Sequence, residues 1–251
     1  MNIALVTGAT SGIGAATAKM FAKKGYNLIL TGRRMERLME IKNHLEKKYD
    51  VKILALTFDV CSREQTEESF GSLSEEWQAI DVLVNNAGLA AGLEHIQDGD
   101  HDDWDRMIDT NIKGVLNVTR VIAPLMCARK RGHIINIGSI AGVSVYENGG
   151  VYCASKHAMH ALSQSMRIDM LKDNIKVTEI RPGMVETEFS LVRFHGDANR
   201  SDNVYKGVKP LSASDIAGVI DWAVSLPYHV NINDVEVCPQ QQANAFYTDR
   251  R

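Results

Sequence analysis

Long apolar runs are missing from this chain. No stretch approaches the ~20 residues that a membrane helix needs. The first apolar segment, Met1 to Val6, stops at Thr7-Gly8. It is too short for a signal peptide and reads as a buried first strand. Cysteine is scarce as well. Cys61, Cys127, Cys153 and Cys238 form no CxxC pair and no metal-ligand spacing. A disulfide scaffold is therefore excluded, no metal is expected, and free thiols suit a reducing, cytoplasmic setting. Surplus positive charge is also absent. Lys and Arg total 28 against 31 Asp and Glu, a net charge of −3. That offers no basic field for nucleic acid. There is no internal repeat and no low-complexity segment.

What is present is an ordinary globular composition, 45% hydrophobic and 24% charged. The length of 251 residues fits one α/β domain spanning 1–251. Short β-rich runs alternate with helical stretches. The strand candidates are Ile3–Thr7, Asn27–Thr31, Lys52–Phe58, Val82–Asn85, Gly132–Gly138, Lys176–Arg181 and Asp234–Cys238. Runs such as Ile134-Ile135-Asn136-Ile137 suit strands covered on both faces. Helices are expected at about 13–24, 34–48, 63–77, 102–128, 150–172 and 213–225. The alternation predicts a doubly wound, Rossmann-type parallel sheet of about seven strands, with ligands at the carboxyl ends of the strands. The stretch 186–211 is the only long irregular one. Its large apolar residues Phe189, Leu191, Val192 and Phe194 predict a lid over a site.

The first strand–helix junction reads Thr7-Gly8-Ala9-Thr10-Ser11-Gly12-Ile13-Gly14. Glycines there permit positive φ and let backbone N–H groups approach a pyrophosphate, whose charge the helix N-terminus favours. After the second strand, an NAD site would place Asp or Glu against the ribose 2′-hydroxyl. This chain has Arg33 and Arg34, which suit a 2′-phosphate. NADP is the cofactor predicted. Asp59-Val60 and Asn86-Ala87-Gly88 follow the third and fourth strands, where adenine and ribose would rest.

Tyr152 and Lys156 lie one helical turn apart on one face. A free tyrosine titrates near ~10, too high for an efficient base at neutral pH. A neighbouring ammonium favours the phenolate, so Lys156 is expected to lower that value. Lys156 could also hydrogen-bond the nicotinamide ribose. Ser139 ends a strand 13 residues earlier and could hold the substrate oxygen. Asn111 is unusual inside a helix. It is expected to bend the helix and to anchor a water that passes protons to Lys156. A second Tyr-x-x-x-K, Tyr205–Lys209, has no helix to align it and reads as an accident of spacing.

Thr7–Gly14, Asn85–Gly88, Asn111, Ser139, Tyr152–Lys156 and Pro182-Gly183 together resemble the short-chain dehydrogenase/reductase family, in order and over nearly the whole chain. The resemblance implies Tyr152 as general acid/base, Lys156 as its helper, Ser139 as oxygen holder and Asn111 as relay anchor. It also implies that Pro182, Gly183, Val185 and Thr187 meet the nicotinamide. A narrower resemblance rests on Thr31–Arg34, Thr187–Phe194 and Leu226–Asn233. It is to the NADP-dependent 3-hydroxy acid (serine or allo-threonine) dehydrogenase branch. The substrate would then be serine, allo-threonine or 3-hydroxypropionate, or a semialdehyde. Arg193, a cation in an apolar lid, is the candidate for its carboxylate. Other carbonyl reductases of the family, acting on 3-oxoacyl, pterin or sugar substrates, are the alternative. A non-catalytic NADP-sensing protein is the alternative of another class.

The family is often tetrameric through its long helices, so a homotetramer or homodimer is expected. His157 and His160 read as plain helix histidines. Met159, Met166 and Met170 read as core or interface. The acidic run Asp98–Asp105 reads as a solvated loop and helix start.

Overall fold

Branched apolar residues dominate the segments that become strands, and the computed structural model, which describes residues 2–251, joins them into one parallel sheet. Its strands are β1 (Ile3–Val6), β2 (Asn27–Gly32), β3 (Ile53–Thr57), β4 (Ile80–Asn85), β5 (Gly132–Ile137), β6 (Ile175–Pro182) and β9 (Asp234–Val237). Their order is β3-β2-β1-β4-β5-β6-β9. Every pair is parallel. A second, two-stranded sheet pairs β7 (Val185–Glu186) with β8 (Leu211–Ser212).

Among the described residues ten α-helices connect these strands: α1 (Gly12–Lys23), α2 (Met35–Lys48), α3 (Arg63–Gly71), α4 (Glu75–Gln78), α5 (His101–Ile108), α6 (Val115–Ala128), α7 (Gly150–Asp169), α8 (Phe189–Arg193), α9 (Ala198–Tyr205) and α10 (Ala213–Ser225). Among the described residues the two largest of three core clusters lie one on each face of the sheet. Phe21 of α1, Leu38 and Leu45 of α2, and Ile216 and Ile220 of α10 fill one. Val118 and Ile122 of α6 and Met159, Met166 and Met170 fill the other. The methionine stripe is therefore core. Burial on both faces is the reason the strands read as unbroken apolar runs.

Two expectations from the sequence need correction. The stretch 186–211 is not irregular: it carries α8, α9 and the short strand pair. The acidic run does start a helix, as expected, but it is not solvated throughout. Asp100 caps α5 by accepting from the N–H groups of Asp102 and Asp103, and the Asp103 side chain is buried. At Asn111 the helix departs from regular α geometry, as a π-helical segment over Asp109–Gly114 between α5 and α6. All four cysteines are free thiols. Among the described residues, no helix is long and apolar enough to cross a membrane.

One buried titratable group sits in the sheet away from the cleft. His133 on β5 is 4% exposed and bonds Thr178 Oγ1 through Nε2 at 2.8 Å. Burial, aided by the Lys176 charge, holds its pKa down from 6.5 to about 3. Between those values the unfolded chain takes a proton that the folded protein refuses. Stability therefore falls as pH drops through that window, by at most about 1.4 kcal/mol per pH unit. His133→Gln removes this titration. Its unfolding free energy, measured with denaturant, should fall less steeply with acidification than that of the wild type; equal slopes would contradict this.

Candidate functional site

The sheet order reverses between β1 and β4, and the crevice of a doubly wound fold opens at such a reversal. Here the cleft holds about 500 Å³. Side chains at the strand ends fix its shape. Thr7 Oγ1 accepts from the Asn86 and Ala87 N–H groups, both at 3.0 Å. Asn86 Nδ2 donates back to the carbonyls of Thr7 at 2.8 Å and Gly8 at 3.1 Å. Asn86 thus clamps the glycine turn to β4. Its Nδ2 is thus committed to the fold, so a contact with the adenine amine would fall to Oδ1, an acceptor.

The glycines divide by role. Gly8 and Gly12 have φ of +63° and +50°, the left-handed region that glycine tolerates. Gly14 is needed for space: a Cβ there would lie 2.3 Å from the Gly8 carbonyl oxygen. Gly14 and the buried Ala9 are not among the cleft-lining residues. Thr10, Ser11, Gly12 and Ile13 do line it. Ser11 precedes α1 without capping it through its side chain, so the helix start faces the cleft with N–H groups to offer an anion. Arg33, Arg34, Asp59, Val60, Asn86, Ala87 and Gly88 lie along the same wall. Arg33 faces Asp59 at 3.5 Å. Against burial, the Cys61 N–H and this guanidinium hold the Asp59 carboxyl below its ordinary range. An open glycine turn, an uncapped helix start and arginines after β2 fit a phosphorylated dinucleotide.

At the other end, Ser139, Tyr152 and Lys156 meet in the cleft. Ser139 Oγ accepts from Ala141 N–H at 3.1 Å. Lys156 Nζ donates to the Ile137 carbonyl at 2.9 Å and lies 5.9 Å from the Tyr152 ring centre. The expected lowering of the phenol pKa is not found. Burial, with Tyr146 alongside, pushes Tyr152 up to about 12, outweighing Arg193 and Ser139. Burial also draws Lys156 down to about 8, while Glu179 opposes that fall.

Asn111 is fully buried and does not line the cleft. Its Oδ1 accepts from Leu89 N–H at 2.9 Å, and its Nδ2 donates to the Leu89 carbonyl at 2.8 Å and Ser155 Oγ at 3.0 Å. It ties the segment after β4 to α7. Its Oδ1 and Lys156 Nζ both flank Gly88: a Cβ there would lie 3.2 Å and 3.7 Å from them. The expected relay thus has its two ends converging, while the amide also carries a structural load.

Pro182, Gly183, Val185 and Thr187 also line the cleft, with Thr187 packed against Gly12. Arg193 reaches in from α8. Its guanidinium carbon lies 4.9 Å from the Tyr152 ring centre, and Nη2 donates to Tyr146 Oη at 2.8 Å. Its Nε is buried without a hydrogen-bond partner. No carboxylate lies within ion-pair distance of Arg193 among the described residues. Glu188 pairs instead with Arg34 and Arg37, and Asp197 caps α9.

Sequence reasoning missed Tyr146, Arg37 and Glu188. Tyr146 lies in a loop with no local signal. Arg37 had one: it follows Arg34 by three residues, which places both on one helical face. The second Tyr-x-x-x-K is no catalytic pair. Tyr205 Oη bonds Ser190 Oγ at 2.7 Å and the Val185 carbonyl at 3.0 Å, and Lys209 is exposed. His160 is not a plain helix histidine. Its Nδ1 lies 2.5 Å from buried Glu179 Oε2, with Asp234 also near. Arg181 and Arg167 enter the same cluster, so cations already balance the acids.

Residues 2–196 match the family described as short chain dehydrogenase. The NADP-dependent 3-hydroxy acid dehydrogenase YdfG of Salmonella typhi is 46% identical over 244 residues, covering 97% of this chain and 97% of that protein. Sulfoacetaldehyde reductase 2 of Chromohalobacter salexigens is 43% identical over 251 residues, covering 99% of each. A solved structure, the closed form of serine dehydrogenase complexed with NADP+, aligns with a TM-score of 0.92. It is 44% identical, and 99% of each chain is covered.

The Asn111 clip has a measurable worth. Asn111→Ala leaves both backbone groups of Leu89 buried and unpaired, which should cost about 2–3 kcal/mol of unfolding free energy. A loss below about 0.5 kcal/mol in denaturant titration, the level of a neutral surface change, would show that these bonds are not holding the segment.

Proposed function

The chain belongs to the short-chain dehydrogenase/reductase family, and from that premise we propose that it is an NADP-dependent oxidoreductase of small 3-hydroxy acids. NADP, when bound, supplies or accepts the hydride. In this reading Thr10, Ser11, Gly12, Ile13 and the start of α1 hold the pyrophosphate. Arg33 and Arg34 hold the 2′-phosphate, and Asp59, Val60, Ala87 and Gly88 border the adenine and ribose. Pro182, Gly183, Val185 and Thr187 border the nicotinamide. Gly14 and Ala9 act from behind, by letting the turn pack.

Tyr152 moves the proton. In the reducing direction it gives its phenolic proton to the nascent alkoxide. In the oxidising direction it removes the alcohol proton. Its high pKa suits the protonated, acid form at rest. Ionising it requires positive charge nearby, and Lys156 and Arg193 provide that. Ser139, which lines the cleft beside Tyr152, holds the substrate oxygen. Asn111 anchors the relay toward Lys156.

A single observation carries the substrate class: the half-buried guanidinium of Arg193, with no carboxylate at ion-pair distance among the described residues, lying over the Tyr152 ring. An anion bound there sits close to the oxygen that Tyr152 serves, so the spacer between them is short. Serine, allo-threonine and 3-hydroxypropionate meet that demand, as does malonic semialdehyde in reverse. The helices α8 and α9 form the lid that shields this pair from water. The same reading carries a cytoplasmic homotetramer or homodimer. Ile168 on α7, 74% exposed, and Leu116 on α6, 42% exposed, supply apolar surface on the long helices.

The test is steady-state NADP+ reduction with L-serine, L-allo-threonine, 3-hydroxypropionate and a neutral alcohol, with sulfoacetaldehyde assayed in the reducing direction. We expect turnover of the 3-hydroxy acids. Arg193→Leu should raise their KM by about tenfold or more and change the neutral alcohol little. Equal effects on acid and alcohol would remove Arg193 from substrate binding. Preference for sulfoacetaldehyde would replace the carboxylate by a sulfonate.

A further inference from the structure

Glu188 stands immediately before α8, and its carboxylate is shared between two arginines at the start of α2. Arg34 Nη1 donates to Oε2 at 3.0 Å and Arg37 Nη1 donates to Oε1 at 2.6 Å. Arg34 Nη2 also donates to Thr10 Oγ1 at 2.8 Å and Ser11 Oγ at 3.1 Å. These donors lie at the carboxyl end of β2, beside the glycine turn. Each carboxylate oxygen thus has its own guanidinium, the arrangement by which arginines also bind phosphate. All three side chains keep 41–44% of their surface exposed, so an incoming anion can reach them. The Arg37 bond, with Arg34 and against slight burial, holds the Glu188 carboxyl below its ordinary range, so it is ionised at neutral pH.

We propose that Glu188 is a resident anion of the 2′-phosphate site: it occupies Arg34 and Arg37 in the cofactor-free protein and yields them to the 2′-phosphate of NADP. The inference rests on the NADP reading above and adds Arg37 to the phosphate-binding set. A phosphate and a carboxylate repel one another over the same two cations. Binding of NADP must therefore break the Glu188 pairs, whereas binding of NAD, which has no 2′-phosphate, leaves them intact. Glu188 accordingly lowers affinity for NADP and not for NAD.

The consequence extends to the lid. Glu188 fastens the start of α8 to the cofactor wall, while Arg193 at its end is fastened to Tyr146. Farther on, His195 bonds Asp103 at 2.9 Å. Arrival of the phosphate releases the first fastening and leaves the other two. One short helix thus senses the cofactor at one end and faces the substrate at the other.

The test is calorimetric titration of NADP+ and of NAD+ into wild-type protein, Glu188→Gln, Glu188→Ala and Arg37→Ala, without substrate. Glu188→Gln and Glu188→Ala should each bind NADP+ about threefold or more tightly than wild type, from the loss of two partly exposed ion pairs. Their NAD+ affinity should be unchanged. Arg37→Ala should bind NADP+ more weakly and NAD+ equally. Unchanged or weakened NADP+ binding in both Glu188 variants, with the wild-type preference for NADP+ intact, would overturn this proposal alone. Equal wild-type affinity for the two dinucleotides would overturn the cofactor reading and this proposal with it.

Discussion

The parting of β1 and β4 makes the cleft, and reciprocal hydrogen bonds between Thr7 and Asn86 hold the parted ends together. β1 sends its chain toward α1 on one face of the sheet, while β5, beyond β4, leads into α7 on the other. Without a tie, two chain ends leaving in opposite directions would expose unpaired backbone groups. Thr7 Oγ1 takes two N–H groups from the β4 side, and Asn86 Nδ2 returns to two carbonyls on the β1 side. The glycine turn inherits its position from that clamp. Gly14 can then approach the Gly8 carbonyl only because it has no Cβ. The proposed cofactor wall is thus a product of strand-end hydrogen bonding before it is a product of glycine flexibility.

Charge along the cleft follows the same economy. Arginines stand after β2, a buried lysine stands midway, and Arg193 closes the far end. Among the described residues, only the first group has carboxylates within ion-pair distance, Asp59 and Glu188. The lysine and Arg193 are left to act on whatever is bound. Burial makes that action strong. The same low dielectric that lifts Tyr152 to about 12 and lowers Lys156 to about 8 amplifies every charge brought beside them. Glu179, fully buried beneath Gly138, helps keep Lys156 charged and is itself balanced by His160 and Arg181.

The parallel sheet was legible in the sequence because strands buried on both faces leave unbroken apolar runs. The helix irregularity at Asn111 was legible because asparagine is a poor interior helix residue. Several features were not. The stretch 186–211 reads as irregular because α8 and α9 are five and eight residues long, too short for a periodic pattern to emerge. The Glu188 pairing joins residues more than 150 positions apart, beyond any local pattern. Tyr146 meets Arg193 only once the excursion folds back. The direction of the Tyr152 shift was misjudged because spacing reveals the neighbouring lysine but not the depth of burial. The Asn111 amide also binds Leu89 and Ser155, a structural load visible only in three dimensions.

The account turns on Tyr152 as the proton-transfer group of an NADP-dependent enzyme. The most direct measurement compares wild type with Tyr152→Phe for NADP+ binding by calorimetry and for turnover of a 3-hydroxy acid. The account predicts unchanged NADP+ binding and a fall in kcat of about a thousandfold. Turnover by Tyr152→Phe near the wild-type rate would contradict it.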